Sequence, residues 1–379
     1  MSETDISPVV LDGGILEGGG QIVRLAISLA ILLRKPVSIT NIRKNRRDPG
    51  LKAQHVAGLR LASEICSGSL TGCELGSTAI EFRPGLVDPF QKYLADPKTA
   101  GSITLLLQIA LPCLLFSKGH THEPGDSESV VDLTLRGGTN ATYAPQIDWT
   151  EHVFFPFLQR HLRLEPRFAI RKRGYFPKGG GEVHFTISPV VGPLPAFTLI
   201  SRGNIISIKG KAWVAGLPRS VALEMRDAAV SALVSSDLCV SSDIIDIEAD
   251  RESPRLAVGS GSGIILWAET EKGCRFGGSC LGRKGTVSSA VGEEAAQELI
   301  RNLAHGGCVD EYLQDQIIVF MTLAAGRSTV RMGRLTPHTK TAIYVAEKLT
   351  DARFSVVEDT PEGPTTITCE GIVFRCPEV

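Results

Sequence analysis

The stretch LDGGILEGGGQIVRLAISLAILLRKPVSITNIRKNRRD, Leu11–Asp48, decides how the whole chain is read. A glycine cluster (Gly13, Gly14, Gly18, Gly19, Gly20) leads into an apolar helix-like segment, Ile22–Leu33. A strand-like Val37–Ile42 and a basic knot of Arg43, Lys44, Arg46 and Arg47 follow. Glycine turns at a helix start present backbone N–H groups to anions, and clustered arginines grip phosphate through planar donor forks. The stretch therefore reads as part of a site that handles a polyanion. Glu17 sharpens this, because an acid among glycines that attract anions needs a donor or a divalent cation to compensate it. Arg24 lies in the first turns of the helix and Arg43 directly follows the strand, so several guanidinium groups can converge on one phosphate. Gln54 and His55 come just beyond, on the next helical stretch.

The chain around this stretch is 379 residues long with a formal net charge of −1. That length exceeds what one core comfortably fills, so two domains are expected. The near-zero charge gives no global field to recruit nucleic acid, and phosphate binding must be local. Nine cysteines, odd in number and without a C-x-x-C pair, argue against a disulfide framework or zinc knuckle and for a reducing compartment. The start, MSETDISPVV, lacks the apolar core of a signal peptide. The longest apolar run, Ile103–Phe116, is too short for a membrane span and reads as a buried helix with Gln108 on its apolar face.

In chain order, Leu51–Ile65 has helical spacing and Leu75–Pro84 reads as a strand. Ala100-Gly101-Ser102 introduces the helix Ile103–Leu115, and Lys118–Ser129 reads as a polar surface loop. Strands are expected at Val130–Leu135, Phe168–Arg171 and Val183–Ile187, with a helix at Trp149–Leu162. Ser188–Pro195, rich in proline, marks a domain junction. Beyond it, strands Ile205–Val214, Ile244–Asp250 and Ile264–Glu269 with a helix Ser220–Ser235 suggest a small inserted α+β domain ending near Cys280. Helices Gly292–Leu303, Tyr312–Ala325 and Thr339–Leu349 and strands Phe354–Val357 and Thr366–Phe374 complete the chain. Among the eight histidines, His338 stands where a helix begins. There the backbone dipole keeps an imidazole neutral, as nucleophilic attack requires. His120-x-His122 lacks further ligands at metal spacing and reads as surface loop.

The runs LDGGILEGGGQIVR and SITNIRKNRRDPGLKAQH, the turn GGTNATYAPQID, the segment RGYFPKGGGEV, the helix EYLQDQIIV and the late His338 together resemble the RNA 3′-terminal phosphate cyclases, most of all the eukaryotic form, from about Val10 to Phe374. The resemblance implies an α+β fold. Its large domain would hold three repeated βα units similar to the C-terminal domain of a bacterial translation initiation factor and related to the enolpyruvyl transferases. A smaller α+β domain would be inserted between the second and third units. It places the catalytic domain at residues 1–190 and 281–379 and the insert at 191–280. The implied reaction uses ATP to convert an RNA 3′-phosphate into a 2′,3′-cyclic phosphodiester, through a covalent histidine–AMP and an RNA–adenylate. His338 would be the nucleophile. Glu17, Arg24, Arg43, Arg46 and Gln54 would surround the phosphates and the RNA end, with Glu17 touching a divalent cation (Mg or Mn). Gln108, Pro145, Tyr312, Asp315 and Gln316 would contact the nucleotide, Pro145 and Tyr312 flanking adenine. The chain departs from the bacterial pattern in its longer Lys118–Ser129 loop. The resemblance further implies a location in the nucleus, the nucleoplasm ahead of the cytosol, and the shortness of the apolar runs implies no membrane association. Two alternatives are a non-catalytic ribosome-assembly relative, which lacks the histidine, and an enolpyruvyl-type transferase, which forms no covalent nucleotide.

Overall fold

The computed structural model describes residues 7–87, 92–117, 130–190, 192–360 and 363–376. The first unit comprises β1 (Val9–Asp12), α1 (Gln21–Leu33), β2 (Val37–Thr40), α2 (Ala53–Cys66), β3 (Ser69–Thr71) and β4 (Ile80–Arg83). The second repeats the plan with β5 (Tyr93–Ala95), α3 (Ile103–Leu115), β6 (Val131–Gly137), a helix α4 over 147–162, β7 (Arg167–Gly174) and β8 (Gly181–Ile187). The third opens with β9 (Thr198–Leu199).

A long insertion then supplies β10 (Ile205–Ala215), α5 (Arg219–Val234), β11 (Ile245–Arg251), β12 (Ala257–Val258), β13 (Gly261–Thr270), β14 (Arg275–Leu281) and α6 (Ser288–Ala304). The third unit resumes with α7 (Glu311–Gln316), α8 (Ile318–Leu323), β15 (Arg327–Met332), α9 (Pro337–Leu349), β16 (Arg353–Glu358) and β17 (Thr365–Glu370).

The repetition is visible in the pairing. The three sheets run β1-β2-β4-β3, β5-β6-β8-β7 and β9-β15-β17-β16. In each, the first two strands are parallel and the rest antiparallel. The parallel pair requires a crossover, which a helix provides in every unit. The fold is thus a mixed α and β architecture, as the sequence leads one to expect, with its repeat expressed in strand order.

Nearly every residue of α1 and α3 is buried, which follows from their almost unbroken apolar sequences. α1 packs against α2, α3 and α9, so helices from all three units meet at the centre. Among the described residues no helix is long and apolar enough to cross a membrane. The Lys118–Ser129 loop and His120-x-His122 lie outside the described residues.

The insertion has its own sheet, β11-β10-β13-β14, covered by α5 and α6. Its limits differ from the expected 191–280. β9 pairs with β15, which puts Thr198 and Leu199 in the third unit and starts the insertion after them. At the other end α6, expected in the last part of the large domain, packs against α5, β13 and β14. A Cβ on Gly292 of α6 would stand 2.0 Å from the Met225 carbonyl oxygen of α5, so the close helix crossing needs a glycine there. The insertion is also stitched to the second unit, because β12 pairs with β7. Beside that seam, buried Arg173 donates to both Asp148 oxygens at 2.7 and 2.8 Å and its Nε meets Glu252 at 2.7 Å.

Candidate active site

The glycine-rich turn after β1 brings its acid back onto the start of α1. Gly19 N donates to Glu17 Oε2 at 2.7 Å, and Arg46 forms an ion pair with the other carboxylate oxygen. These donors compensate the charge that the sequence places among the glycines. Arg46 also donates to the Glu17 carbonyl at 2.8 Å, while Glu17 N donates to Thr341 Oγ1 of α9 at 3.2 Å. The first and third units are therefore joined where Glu17 meets Thr341, which lies three residues after His338 in α9. A Cβ on Gly20 would lie 2.4 Å from His55 Nε2 and 2.7 Å from an Arg24 guanidinium nitrogen, so glycine lets those two side chains converge on the turn. Burial, reinforced by Arg24, Arg43 and Lys52, pushes the His55 pKa down to about 3 and keeps the ring neutral. Its Nδ1 accepts from Lys52 N at 3.0 Å.

Beside this turn lies a cavity of about 560 Å³ whose walls come from all three units. α1 contributes Gln21 and Arg24, α3 contributes Gln108, and the loop before α4 contributes Tyr143 and Pro145. α7 contributes Tyr312, Asp315 and Gln316, and the start of α9 contributes His338 and Lys340. Seven of the residues singled out in the sequence, Arg24, Gln108, Pro145, Tyr312, Asp315, Gln316 and His338, thus line one space.

A continuous polar chain crosses its inner wall. Arg24, only 8% exposed, donates from Nε to Gln108 Oε1 at 2.8 Å and from its terminal nitrogen to Gln21 Oε1 at 2.7 Å. Gln21 Nε2 then donates to Asp315 Oδ2 at 2.7 Å. Burial raises the Asp315 pKa to about 7, with Arg24 opposing the shift.

The position of α7 against α9 is fixed by Gln314, which is fully buried. Its amide donates to the Arg334 carbonyl at 3.3 Å and its oxygen accepts from Thr339 Oγ1 at 3.1 Å. Thr336 caps α9 by accepting from Thr339 N at 3.1 Å, and Pro337 occupies the first turn, where its missing N–H costs nothing. This cap presents His338 in the first turn. Its pKa is lowered by burial first, which Glu17 opposes and Arg24 and Arg46 reinforce more weakly, so the ring is neutral near pH 7. Tyr312 is braced from behind. Asp310 caps α7 by accepting from Leu313 N at 2.8 Å, and its other oxygen accepts from Trp149 Nε1 and Gly277 N, both at 2.8 Å. The Trp149 ring stands edge-on to Tyr312 at 5.8 Å.

Four expected site residues stand apart from the cavity walls: Glu17 and Arg46, which pair with each other, and Arg43 and Gln54. Arg43, in the left-handed backbone region at φ 57°, donates to the Gly50 carbonyl at 3.1 Å. Gln54 Oε1 accepts from Ser102 N at 2.6 Å and so tends the start of α3. Both lie on the flank marked by Glu17, Arg46 and Gly101 rather than at the cavity floor. Sequence reasoning missed Gln21, Gln314 and Tyr143. Gln21 had a signal, since it lies three residues before Arg24 on the same helical face.

Among the described residues no group of three or more histidine, cysteine, aspartate or glutamate side chains could hold a metal by itself. A magnesium-like cation commonly takes one or two carboxylates plus substrate phosphates, and the Glu17 carboxylate fits that donor set.

Comparison with known proteins agrees with the resemblance. A family model described as RNA 3′-terminal phosphate cyclase matches residues 15–356. The chain is 38% identical to a Dictyostelium discoideum protein named probable RNA 3′-terminal phosphate cyclase, over 96% of this chain and 83% of that one. It is 36% identical to the RNA 3′-terminal phosphate cyclase of Drosophila melanogaster, over 96% of each chain. The cyclase of Ignicoccus hospitalis is likewise 36% identical, over 97% of this chain and 99% of that one.

Proposed function

Because the chain belongs to the RNA 3′-terminal phosphate cyclase family, we propose that it uses ATP to close an RNA 3′-phosphate onto the neighbouring 2′-hydroxyl. The observation that carries the reading is His338, held neutral at a capped helix start on the wall of a cavity that also contains Arg24, Pro145 and Tyr312.

A 3′-phosphate is a poor electrophile for its own 2′-hydroxyl because it offers no good leaving group. Adenylation supplies one. The neutral imidazole of His338 attacks the α-phosphorus of ATP; a P–N bond forms and pyrophosphate leaves. An oxygen of the RNA 3′-phosphate then displaces the histidine, whose P–N bond is labile enough to hand AMP on. The 2′-hydroxyl attacks the activated phosphorus, AMP departs and the ring closes.

The chain's residues divide the supporting work. Pro145 and Tyr312 hold adenine between them, with Gln108 and Gln316 beside it and Asp315 at the inner wall. Arg24 faces the phosphates from within the cavity. Arg43, Arg46 and Gln54, on the outer flank, receive the RNA terminus, where guanidinium forks suit a terminal phosphate. Glu17 would hold a divalent cation, Mg²⁺ or Mn²⁺, together with phosphate oxygens; such a cation offsets charge that develops on the phosphates. Arg46, now paired with Glu17, is the group that must shift its hold when phosphate and cation arrive.

The test is an oligoribonucleotide with a 3′-phosphate, incubated with the protein, ATP and Mg²⁺ or Mn²⁺. The expected product is a phosphatase-resistant 2′,3′-cyclic end formed only with ATP. No conversion, or conversion independent of ATP, overturns the reading.

A further inference from the structure

The loop before α4 carries an aromatic side chain for which the reading above has no use. Tyr143 lines the same cavity as His338, yet it is 94% exposed. It also sits in the left-handed backbone region at φ 62°, which is uncommon for a residue other than glycine and is sustained only where the surroundings fix it.

Here they do. Ile147 N donates to the Thr139 carbonyl at 2.9 Å and closes the loop. Asn140, buried, donates to Gln146 Oε1 and Asp148 Oδ2, both at 3.0 Å, and pairs with Tyr175 of the neighbouring strand-turn. Thr104 Oγ1 donates to the Pro145 carbonyl at 2.8 Å. The base of the loop is thus tied to α3, α4 and β7, while the Tyr143 ring projects into solvent at the cavity rim. The turn that pairs with this loop carries a second exposed aromatic, Phe176, at 79%.

An aromatic ring presented to water at a site mouth, on a loop whose base is pinned, has almost nothing of its own to pack against. The two substrates of the proposed reaction differ in what they need there. ATP is small enough for the enclosed part of the cavity, where Pro145 and Tyr312 are expected to take its base. Only the last phosphate and ribose of an RNA enter the site. The strand must leave across the rim, with unstacked bases seeking an aromatic face.

We propose that Tyr143 is a stacking platform for a nucleobase at the 3′ end of the RNA strand, a subsite that recognises single-stranded RNA without reading its sequence. The inference rests on the cyclase reading. Stacking on an aromatic face is available to every base, so the subsite tolerates any terminal sequence while requiring that a base be present.

The experiment compares wild type, Tyr143→Ala and Tyr143→Phe on two oligoribonucleotides with 3′-phosphates, one ordinary and one abasic at its last two positions. Self-adenylation with ATP is measured in parallel. Tyr143→Ala is expected to raise KM for the ordinary RNA on the order of 10-fold, a size within what stacking of one base supplies. Tyr143→Phe, which keeps the ring, should match wild type. On the abasic RNA, wild type should fall to the level of the alanine variant, and the two should no longer differ. An unchanged KM in Tyr143→Ala, or the same penalty on abasic RNA, overturns the proposal. So does a loss confined to self-adenylation, which would put the ring on ATP. A wild-type protein that cyclises neither RNA refutes the function itself and is distinguishable from all of these.

Discussion

Replacing Arg173 by methionine should destabilise the protein by about 4 kcal/mol at neutral pH, and the size follows from what it leaves behind. The Arg173 guanidinium bonds both oxygens of Asp148, meets Glu252 and lies 5.5 Å over the Trp213 ring of the insertion. Asp148 is only 3% exposed at its side chain. Burial, the largest single influence, would raise its pKa, but the charge and bonds of Arg173, helped by the bond from Asn140, together hold the carboxyl below its ordinary value. Without the arginine, Asp148 keeps Asn140 Nδ2 as a donor but has no counter-charge, and it escapes by taking up a proton. Protonating a carboxyl of ordinary pKa ~3.9 costs about 4 kcal/mol at pH 7, at ~1.36 kcal/mol per pH unit. That agrees with the ~3–5 kcal/mol measured when one partner of a buried pair is removed. The same arithmetic gives only about 1.5 kcal/mol at pH 5. The sign is definite: the variant's folded state binds a proton that the unfolded state does not, so its deficit grows as pH rises. Urea unfolding of wild type, Arg173→Met and Arg173→Met/Asp148→Leu at pH 5 and pH 7 measures it. The double variant should recover much of the loss, since the more deeply buried carboxylate is then gone and only Glu252, 14% exposed at its side chain, has lost its arginine. A deficit under about 1 kcal/mol at pH 7, or one that does not change with pH, would refute the reasoning.

Glu298 offers a second pH test. Burial raises its pKa to about 7, against the bond from Ser279 N at 2.9 Å. Its folded pKa exceeds its unfolded one, so the native state loses stability as pH rises toward 7. Glu298→Gln, which keeps an acceptor for Ser279, should therefore gain in Tm relative to wild type between pH 5 and pH 8; a constant difference would show that Glu298 is not held protonated. Arg43→Ala should still self-adenylate but lose cyclisation on the order of 100-fold, the usual range for a lost charge-stabilising donor. Equal loss of both steps would place that guanidinium on ATP instead. Gln314→Ala, which unties α7 from α9, should slow self-adenylation while leaving the transfer of AMP from preformed adenylate to RNA closer to normal. Equal losses in the two steps would contradict its role in aligning Tyr312 with His338.

Much of the fold is legible because its central elements have unambiguous patterns. α1 and α3 are apolar almost throughout, and the structure buries them on nearly every side. The expected helix Ile103–Leu115 has the same limits in the structure. The insertion's limits were less legible for two reasons. β9 is two residues long, and its pairing with β15 is made by backbone groups that leave no side-chain pattern. α6 reads correctly as an amphipathic helix, but amphipathicity does not say which sheet the apolar face meets. The expected single helix Tyr312–Ala325 is divided at Ile317 into α7 and α8.

At the site, polar residues with unusual chemistry were conspicuous: Glu17 among glycines, Arg24 in an apolar helix, His338 after a Thr-Pro cap. Gln21 and Gln314 were not, because an amide in a helix looks like surface until its partners are known. Tyr143 was hidden for the opposite reason. A tyrosine between threonine and alanine is ordinary in any loop, and only its exposure on a pinned backbone sets it apart.

The central claim is that His338 takes AMP from ATP onto its ring. It is tested by incubating the protein with ATP labelled at the α-phosphate and Mg²⁺ or Mn²⁺, then isolating the protein and locating the label. The expected result is an acid-labile, alkali-stable adenylate on His338, absent from His338→Ala. Because burial and two arginines keep the ring neutral, labelling should persist below the ordinary histidine pKa of about 6.5 before it fails. An unlabelled wild-type protein, or undiminished labelling in His338→Ala, would contradict it.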